Sequence, residues 1–352
     1  MMFNDNTTQP DNPAEPDRTA EPESTVDTLT VADIPVIDLT DLRTGDLHRR
    51  REIGSQIDDA NRRVGFLVIT GHGVDDALIS AMHDVTEAFF ALDAQTKLQW
   101  RQPDPAISRG FIPSRERSLA ASGAGDAVYS ERDHVEYFAA GPLDADGTGI
   151  FDHANIWPSA PDDLRAIWEN YYRALESVAS TLLRGFALGL GVDENYFDAS
   201  CGHHCSVLFA NGYPPADAPP RPGSVRLGEH TDYGSLTILY RDERPSGLQV
   251  MQGGHWRAVP DIPGSFVVNI GDLMARWTND RWVSTLHRVA HPPMTSIGQR
   301  RLSIPFFHQP DPDAEISAIP TCVTEGEEPH YPAITSGQNY LDKTRRSMTP
   351  TR

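Results

Sequence analysis

Cysteine is scarce in this chain: three in 352 residues, at positions 201, 205 and 322. They offer neither the even count nor the regular spacing of a disulfide framework, which points to a reducing compartment. Positive charge is also in short supply. Against 50 Asp and Glu stand 30 Lys and Arg, a formal net charge of −20. Phosphate binding needs a basic face, so a nucleic-acid partner is disfavoured. No apolar run is long enough to span a bilayer, and the N-terminus lacks the basic and apolar regions of a secretory signal. A cytoplasmic protein with a small-molecule ligand and no membrane partner is expected; the oligomeric state is not legible. Large apolar side chains are nearly missing from residues 1–30, which are rich in Pro, Asp, Glu, Thr and Asn. Such a stretch cannot bury enough surface to offset its ordering entropy, and reads as a disordered acidic tail.

Beyond the tail the hydrophobic pattern is periodic. Ile34 to Leu39 forms a short strand-like run, and Ile53, Ile57 and Ala60 recur at helical spacing. Gly65 to Ile69 reads as a buried strand ending in the turn Gly71-His72-Gly73. Leu78, Met82, Val85 and Phe89 line one face of a second helix. A longer helix begins after Pro161 with Leu164, Trp168, Tyr171, Leu175, Val178 and Leu182 as its stripe, and Gly189 and Gly191 are expected to end it. From about Val207 the chain turns to short apolar runs punctuated by Gly, Pro, Asp and Asn, the mark of a sandwich or jelly roll. There is no internal repeat. The expected fold is α+β and mainly β: a helix-and-strand region over residues 31–200 packed around a double-stranded β-helix over residues 201–345, as layers of one unit.

Within the second region two short strings carry chemistry. In His230-Thr231-Asp232 an extended backbone puts the imidazole and the carboxylate on one face, because side chains alternate with period two. His287, from a distant strand, can complete a triangle. Two imidazoles and one carboxylate are the set that holds non-haem Fe(II) while leaving positions open for other ligands. Arg301 and Ser303 likewise share a strand face, and a guanidinium with a nearby hydroxyl suits a carboxylate. A buried carboxylate needs a charge that persists, and arginine stays protonated where lysine can lose its proton.

The strings GEHTDYGSLTIL, GDLMARWTNDRWVSTLHRVAHPP and RLSIPFF resemble, in order and spacing, the isopenicillin N synthase-like family of Fe(II)/2-oxoglutarate-dependent dioxygenases. The resemblance extends to NGYPP at 211–215, to PVIDLTDL, to GFLVITGHGV and to Ser108-Arg109-Gly110-Phe111, so it spans nearly everything after the tail. It implies His230, Asp232 and His287 as iron ligands. Arg301, Ser303 and Tyr213 would bind the distal carboxylate of 2-oxoglutarate, with Asn211 near the cosubstrate. It also implies oxidative decarboxylation of 2-oxoglutarate by O₂ to succinate and CO₂, coupled to hydroxylation or desaturation of a small molecule, with a setting in natural-product metabolism. No side chain beyond the metal ligands is then needed as a catalyst, since the cosubstrate and metal carry the chemistry.

Other residues carry weaker signals. Arg109, Phe111, Tyr129, Tyr137 and Trp277 are candidates to line the substrate site. Cys201-Gly202-His203-His204-Cys205 superficially resembles a zinc cluster, but its spacing does not match paired knuckles. Arg288 should point away from the metal, His72 reads as structural, and Phe306 should face the core. Two rival functions stand beside the leading one: an iron oxidase of isopenicillin N synthase type that uses no 2-oxoglutarate, and a catalytically silent jelly roll used for binding. The tyrosine of NGYPP favours the 2-oxoglutarate branch, and the intact ligand set argues against silence.

Overall fold

The computed structural model describes residues 33–104, 107–114, 135–145, 147, 149, 151–215, 225–242, 244, 247–291 and 298–348. The expected acidic tail and Tyr129 lie outside them. The first half supplies β1 (Val36–Asp38), α1 (Thr40–Thr44), α2 (Leu47–Arg63), β2 (Phe66–Thr70), α3 (Asp76–Ala91), α4 (Ala94–Leu98), β3 (Gly110–Ile112), β4 (Glu136–Ala140) and α5 (Leu164–Leu190). The second half supplies β5 (Val207–Tyr213), β6 (Leu227–His230), β7 (Leu236–Arg241), β8 (Leu248–Gln252), β9 (His255–Ala258), β10 (Phe266–Ile270), α6 (Asp272–Trp277), β11 (His287–Val289) and β12 (Arg301–His308). The chain continues through β13 (Glu315–Ile316) and β14 (Ile334–Thr335) to α7 (Ser336–Met348).

Two sheets face each other. The larger has eight strands in the order β1-β2-β10-β7-β12-β5-β4-β3, and the smaller has the order β6-β11-β8-β9. The first four strands therefore extend both edges of the major sheet, and the sheet runs without a break across the division expected near residue 200. β1 pairs parallel with β2, a connection that needs a crossover, which α1 and α2 provide.

The helices cover the outer face of the major sheet. Asp46 and Asp75 cap α2 and α3 by accepting from the backbone N–H groups of Arg49 and Ala77, which satisfies donors that a helix start leaves free. The 27 residues of α5 make a rod about 40 Å long that packs on both α2 and α3. Its end departs from expectation. Gly191, at φ 72°, closes the helix, whereas Gly189 lies inside it at the crossing with α2. A Cβ on Gly189 would stand 2.4 Å from the Gly54 carbonyl oxygen, so the glycine serves close approach of two backbones.

β12 shows how the sheet separates its two faces. Leu302, Ile304 and Phe306 enter the core beneath the helices, while Arg301, Ser303, Pro305 and Phe307 line a pocket between the sheets. β5 repeats the pattern, with Leu208 and Ala210 inward and Phe209, Asn211 and Tyr213 toward the pocket. Among the described residues no helix is long and apolar enough to cross a membrane.

Candidate active site

The pocket between the sheets encloses about 790 Å³ of empty space including its open side. His230 comes to it from the end of β6 and His287 from the start of β11, and the two are register partners across that pair. Asp232 follows in the loop leading to β7. All three are buried, and one ligand atom from each lies within 4.8 Å of the others. Among the described residues no other group of histidine, cysteine and carboxylate side chains meets in this way.

The surroundings of each of the three side chains fit a metal. His230 Nδ1 lies 2.8 Å from the Gly228 carbonyl and His287 Nδ1 lies 3.0 Å from that of Thr285. A carbonyl only accepts, so the ring proton is on Nδ1 in both and the Nε2 lone pair points into the site. Asp232 Oδ2 accepts from Thr237 Oγ1 at 2.5 Å and from Asn269 Nδ2 at 2.7 Å. Its Oδ1 faces the two Nε2 atoms at 3.8 and 3.7 Å, too far for hydrogen bonds and suited to atoms arranged about a shared cation. Burial together with His287 pushes the His230 pKa down to about 4, which keeps that lone pair free at neutral pH. Burial opposes ionisation of Asp232, but the imidazoles of His287 and His230 and the hydrogen bonds from Asn269 and Thr237 hold its carboxyl below the ordinary value.

An anion site lies beside this cluster. Arg301 is buried, and its Nε and Nη1 find no acceptor among the described residues. Its guanidinium lies 4.7 Å from the ring centre of Tyr213, its register partner on β5, and the Tyr213 hydroxyl is also buried without a partner. Ser303 accepts from Asn211 Nδ2 at 3.2 Å. Buried donors without acceptors are costly, so this corner of the pocket fits a carboxylate.

Three candidates for lining the pocket belong elsewhere. Arg109 donates to the carbonyls of His153, Ser108 and Phe151 at 3.0, 2.8 and 3.2 Å, tying down a loop. Phe111 pairs in register with Phe138 and packs on Phe89 on the core face of its strand. Trp277 packs edge-on against Phe197 in the same core. Tyr137, one residue out of phase with Phe138, does line the pocket. Arg288 stacks on Trp256 and bonds Gln249 on the outer face. His72 accepts from the Val74 N–H as part of its turn. His204 pairs with Glu176 and Cys205 Sγ donates to the Pro310 carbonyl, so the Cys-His string is engaged in separate contacts. Sequence reading missed Thr237 and Asn269, and with them the apolar wall formed by Phe66, Leu239, Leu248 and Phe307. Strand alternation was the one signal that could have found them.

Two imidazoles and a carboxylate at the mouth of a jelly roll, with an unpaired guanidinium beside them, define a non-haem iron oxygenase. Residues 202–310 match the family model of the 2OG-Fe(II) oxygenase superfamily, and residues 34–160 match that of the non-haem dioxygenase N-terminal region described from morphine synthesis. The chain is similar to validamycin A dioxygenase of Streptomyces hygroscopicus subsp. limoneus, at 30% identity over 90% of this chain and 87% of that one. It is also similar to the 2-oxoglutarate-Fe(II) type oxidoreductase hxnY of Emericella nidulans, at 32% identity over 86% of each. Full-length T7H of Neurospora crassa, solved with alpha-KG, superposes with a TM-score of 0.80 at 31% identity, covering 89% of this chain and 95% of that one; it has also been solved with thymine. The chain belongs to the 2OG-Fe(II) oxygenase superfamily. It is an Fe(II)- and 2-oxoglutarate-dependent dioxygenase that acts on a small molecule.

Proposed function

We propose that His230, Asp232 and His287 hold the ferrous ion, and that Arg301, Ser303 and Tyr213 bind the distal carboxylate of 2-oxoglutarate, with Asn211 orienting Ser303. Iron with 2-oxoglutarate and O₂ supplies the oxidising chemistry, giving succinate, CO₂ and an oxidised substrate. The chain's own residues bind, orient and exclude water. Asp232 offers Oδ1 because Thr237 and Asn269 occupy Oδ2, and both imidazoles are fixed in the tautomer that presents Nε2. The guanidinium of Arg301 offers a fork of parallel donors that matches a carboxylate, so it selects a cosubstrate with a carboxylate at the far end.

The observation that carries this reading is the presence, in one cavity, of three converging ligand atoms and an unpaired buried guanidinium. The substrate is proposed to be a compact molecule of specialised metabolism, oxidised at a C–H bond facing the apolar wall of Phe66, Leu239, Leu248 and Phe307. One relative is named for validamycin A and a structural neighbour has been solved with thymine, both small molecules. The scarcity of cysteine favours a reducing, cytoplasmic setting, and the acidic balance disfavours a nucleic-acid partner. The test is turnover of 2-oxoglutarate under Fe(II) and ascorbate against a library of small molecules. Succinate should appear in step with O₂ use and be lost in His230→Ala. O₂ consumption without succinate would instead support the rival oxidase of isopenicillin N synthase type.

A further inference from the structure

A second guanidinium lies against the same tyrosine. Arg226, immediately before β6, donates its backbone N–H to the Val289 carbonyl at 2.8 Å and is only 3% exposed. Its Nη1 and Nη2 are buried and find no acceptor among the described residues. The head group lies 5.7 Å from the ring centre of Tyr213, the ring that Arg301 faces at 4.7 Å. The surrounding arginines are matched by carboxylates: Arg241 by Asp261 at 2.8 Å, Arg288 by Glu229 at 3.5 Å and Arg300 by Glu136 at 2.8 Å. Among the described residues Arg226 and Arg301 are not.

Two buried like charges without a counter-ion destabilise the fold, both by desolvation and by mutual repulsion. Burial and the charge of Arg301 both act to lower the Arg226 pKa. An arriving anion relieves that penalty, and a carboxylate has lone pairs enough for two guanidinium forks.

We infer that Arg226 is a second cation for the distal carboxylate of 2-oxoglutarate, acting with Arg301 about Tyr213 and restricting the site to diacid cosubstrates. This rests on the proposed role of Arg301. A carboxylate on the substrate is the other source of the same chemistry, and binding measured without substrate separates the two. Arg226 also faces the ring shared with Arg301, which favours the cosubstrate.

The experiment is anaerobic calorimetric titration of the Fe(II)-loaded full chain with 2-oxoglutarate and with 2-oxopentanoate, which has the same length but no distal carboxylate. Iron stoichiometry is measured alongside. Wild type should prefer the diacid. Arg226→Met should weaken 2-oxoglutarate about tenfold or more and leave 2-oxopentanoate unchanged. If that variant does not fold, Arg226→Gln and Arg226→Lys are read in the same way, with Lys retaining the greater diacid affinity. Unchanged 2-oxoglutarate affinity overturns the inference and favours a substrate carboxylate. Equal weakening of both ligands overturns it in favour of a packing role. A wild type that binds both ligands alike defeats the cosubstrate reading itself, and the role of Arg226 with it.

Discussion

Asn269 donates to the one oxygen of Asp232 that does not face the imidazoles. The 2.7 Å bond to Oδ2, with that from Thr237, fixes the rotation of the carboxylate, so Oδ1 is aimed before any metal arrives. Asn269→Leu and Thr237→Val should each lower iron affinity, by about 10- to 100-fold. Melting temperatures should move little by comparison. Competition with a chelator reads the affinity directly, and a wild-type value in both variants would remove these side chains from the site.

Arg301 should be sensitive even to a conservative change. Lysine keeps the charge but not the fork, and it loses its proton more readily when buried. Arg301→Lys should raise the KM for 2-oxoglutarate about 10- to 100-fold, with a smaller fall in kcat at saturating cosubstrate. A KM left at the wild-type value would exclude the clamp.

Two glycines tie the proposed iron site to the fold. Asp272 donates its N–H to the Asp232 carbonyl at 2.7 Å, and the neighbouring Gly271 donates to Ser235. A Cβ on Gly271 would stand 2.2 Å from the Gly234 carbonyl oxygen, and one on Gly234 would stand 2.3 Å from that of His308. Gly271→Ala and Gly234→Ala should cost about 1–3 kcal/mol and weaken iron binding together. Gly253→Ala is the control. It has nothing within 4 Å and a φ of 59°, so it should lower stability through the backbone alone and leave iron affinity intact. Thermal melts paired with iron titration check both halves.

How much of this was legible in the sequence follows from distance along the chain. His230 and Asp232 are two residues apart and Arg301 and Ser303 likewise, so alternation alone puts each pair on one face. The three longer helices of the first half, α2, α3 and α5, were equally open, because their apolar residues recur at helical spacing, whereas the five-residue α1 and α4 are too short to show a period. Pairing across long separations was not. β2 joins β10 roughly two hundred residues later, so no local pattern shows that the N-terminal strands complete the major sheet. Asn269 and Thr237 are register partners across β10 and β7, and only that pairing brings them together beneath Asp232. Arg109 failed as a lining residue for a related reason. Its polarity is used by three carbonyls of its own surroundings, which composition cannot reveal.

His308 should give the protein a distinct acid sensitivity. It is buried on β12 with Nδ1 2.7 Å from Ser235 Oγ, and its ring centre lies 5.5 Å from that of His204. Burial, with the nearby His204, pushes its pKa from 6.5 down to about 3. The unfolded chain takes up this proton near 6.5, whereas the folded chain does so only near 3. Between those values the unfolded state binds more protons, so the contribution of His308 is intact above 6.5 and declines as the pH falls toward 3. His308→Gln removes that dependence. The wild type should hold its largest stability advantage over the variant at neutral pH, and the gap should narrow by about pH 4.5. Denaturant midpoints of both proteins at the two pH values measure it. Profiles that run parallel would show that His308 takes up its proton in the fold as readily as in the unfolded chain.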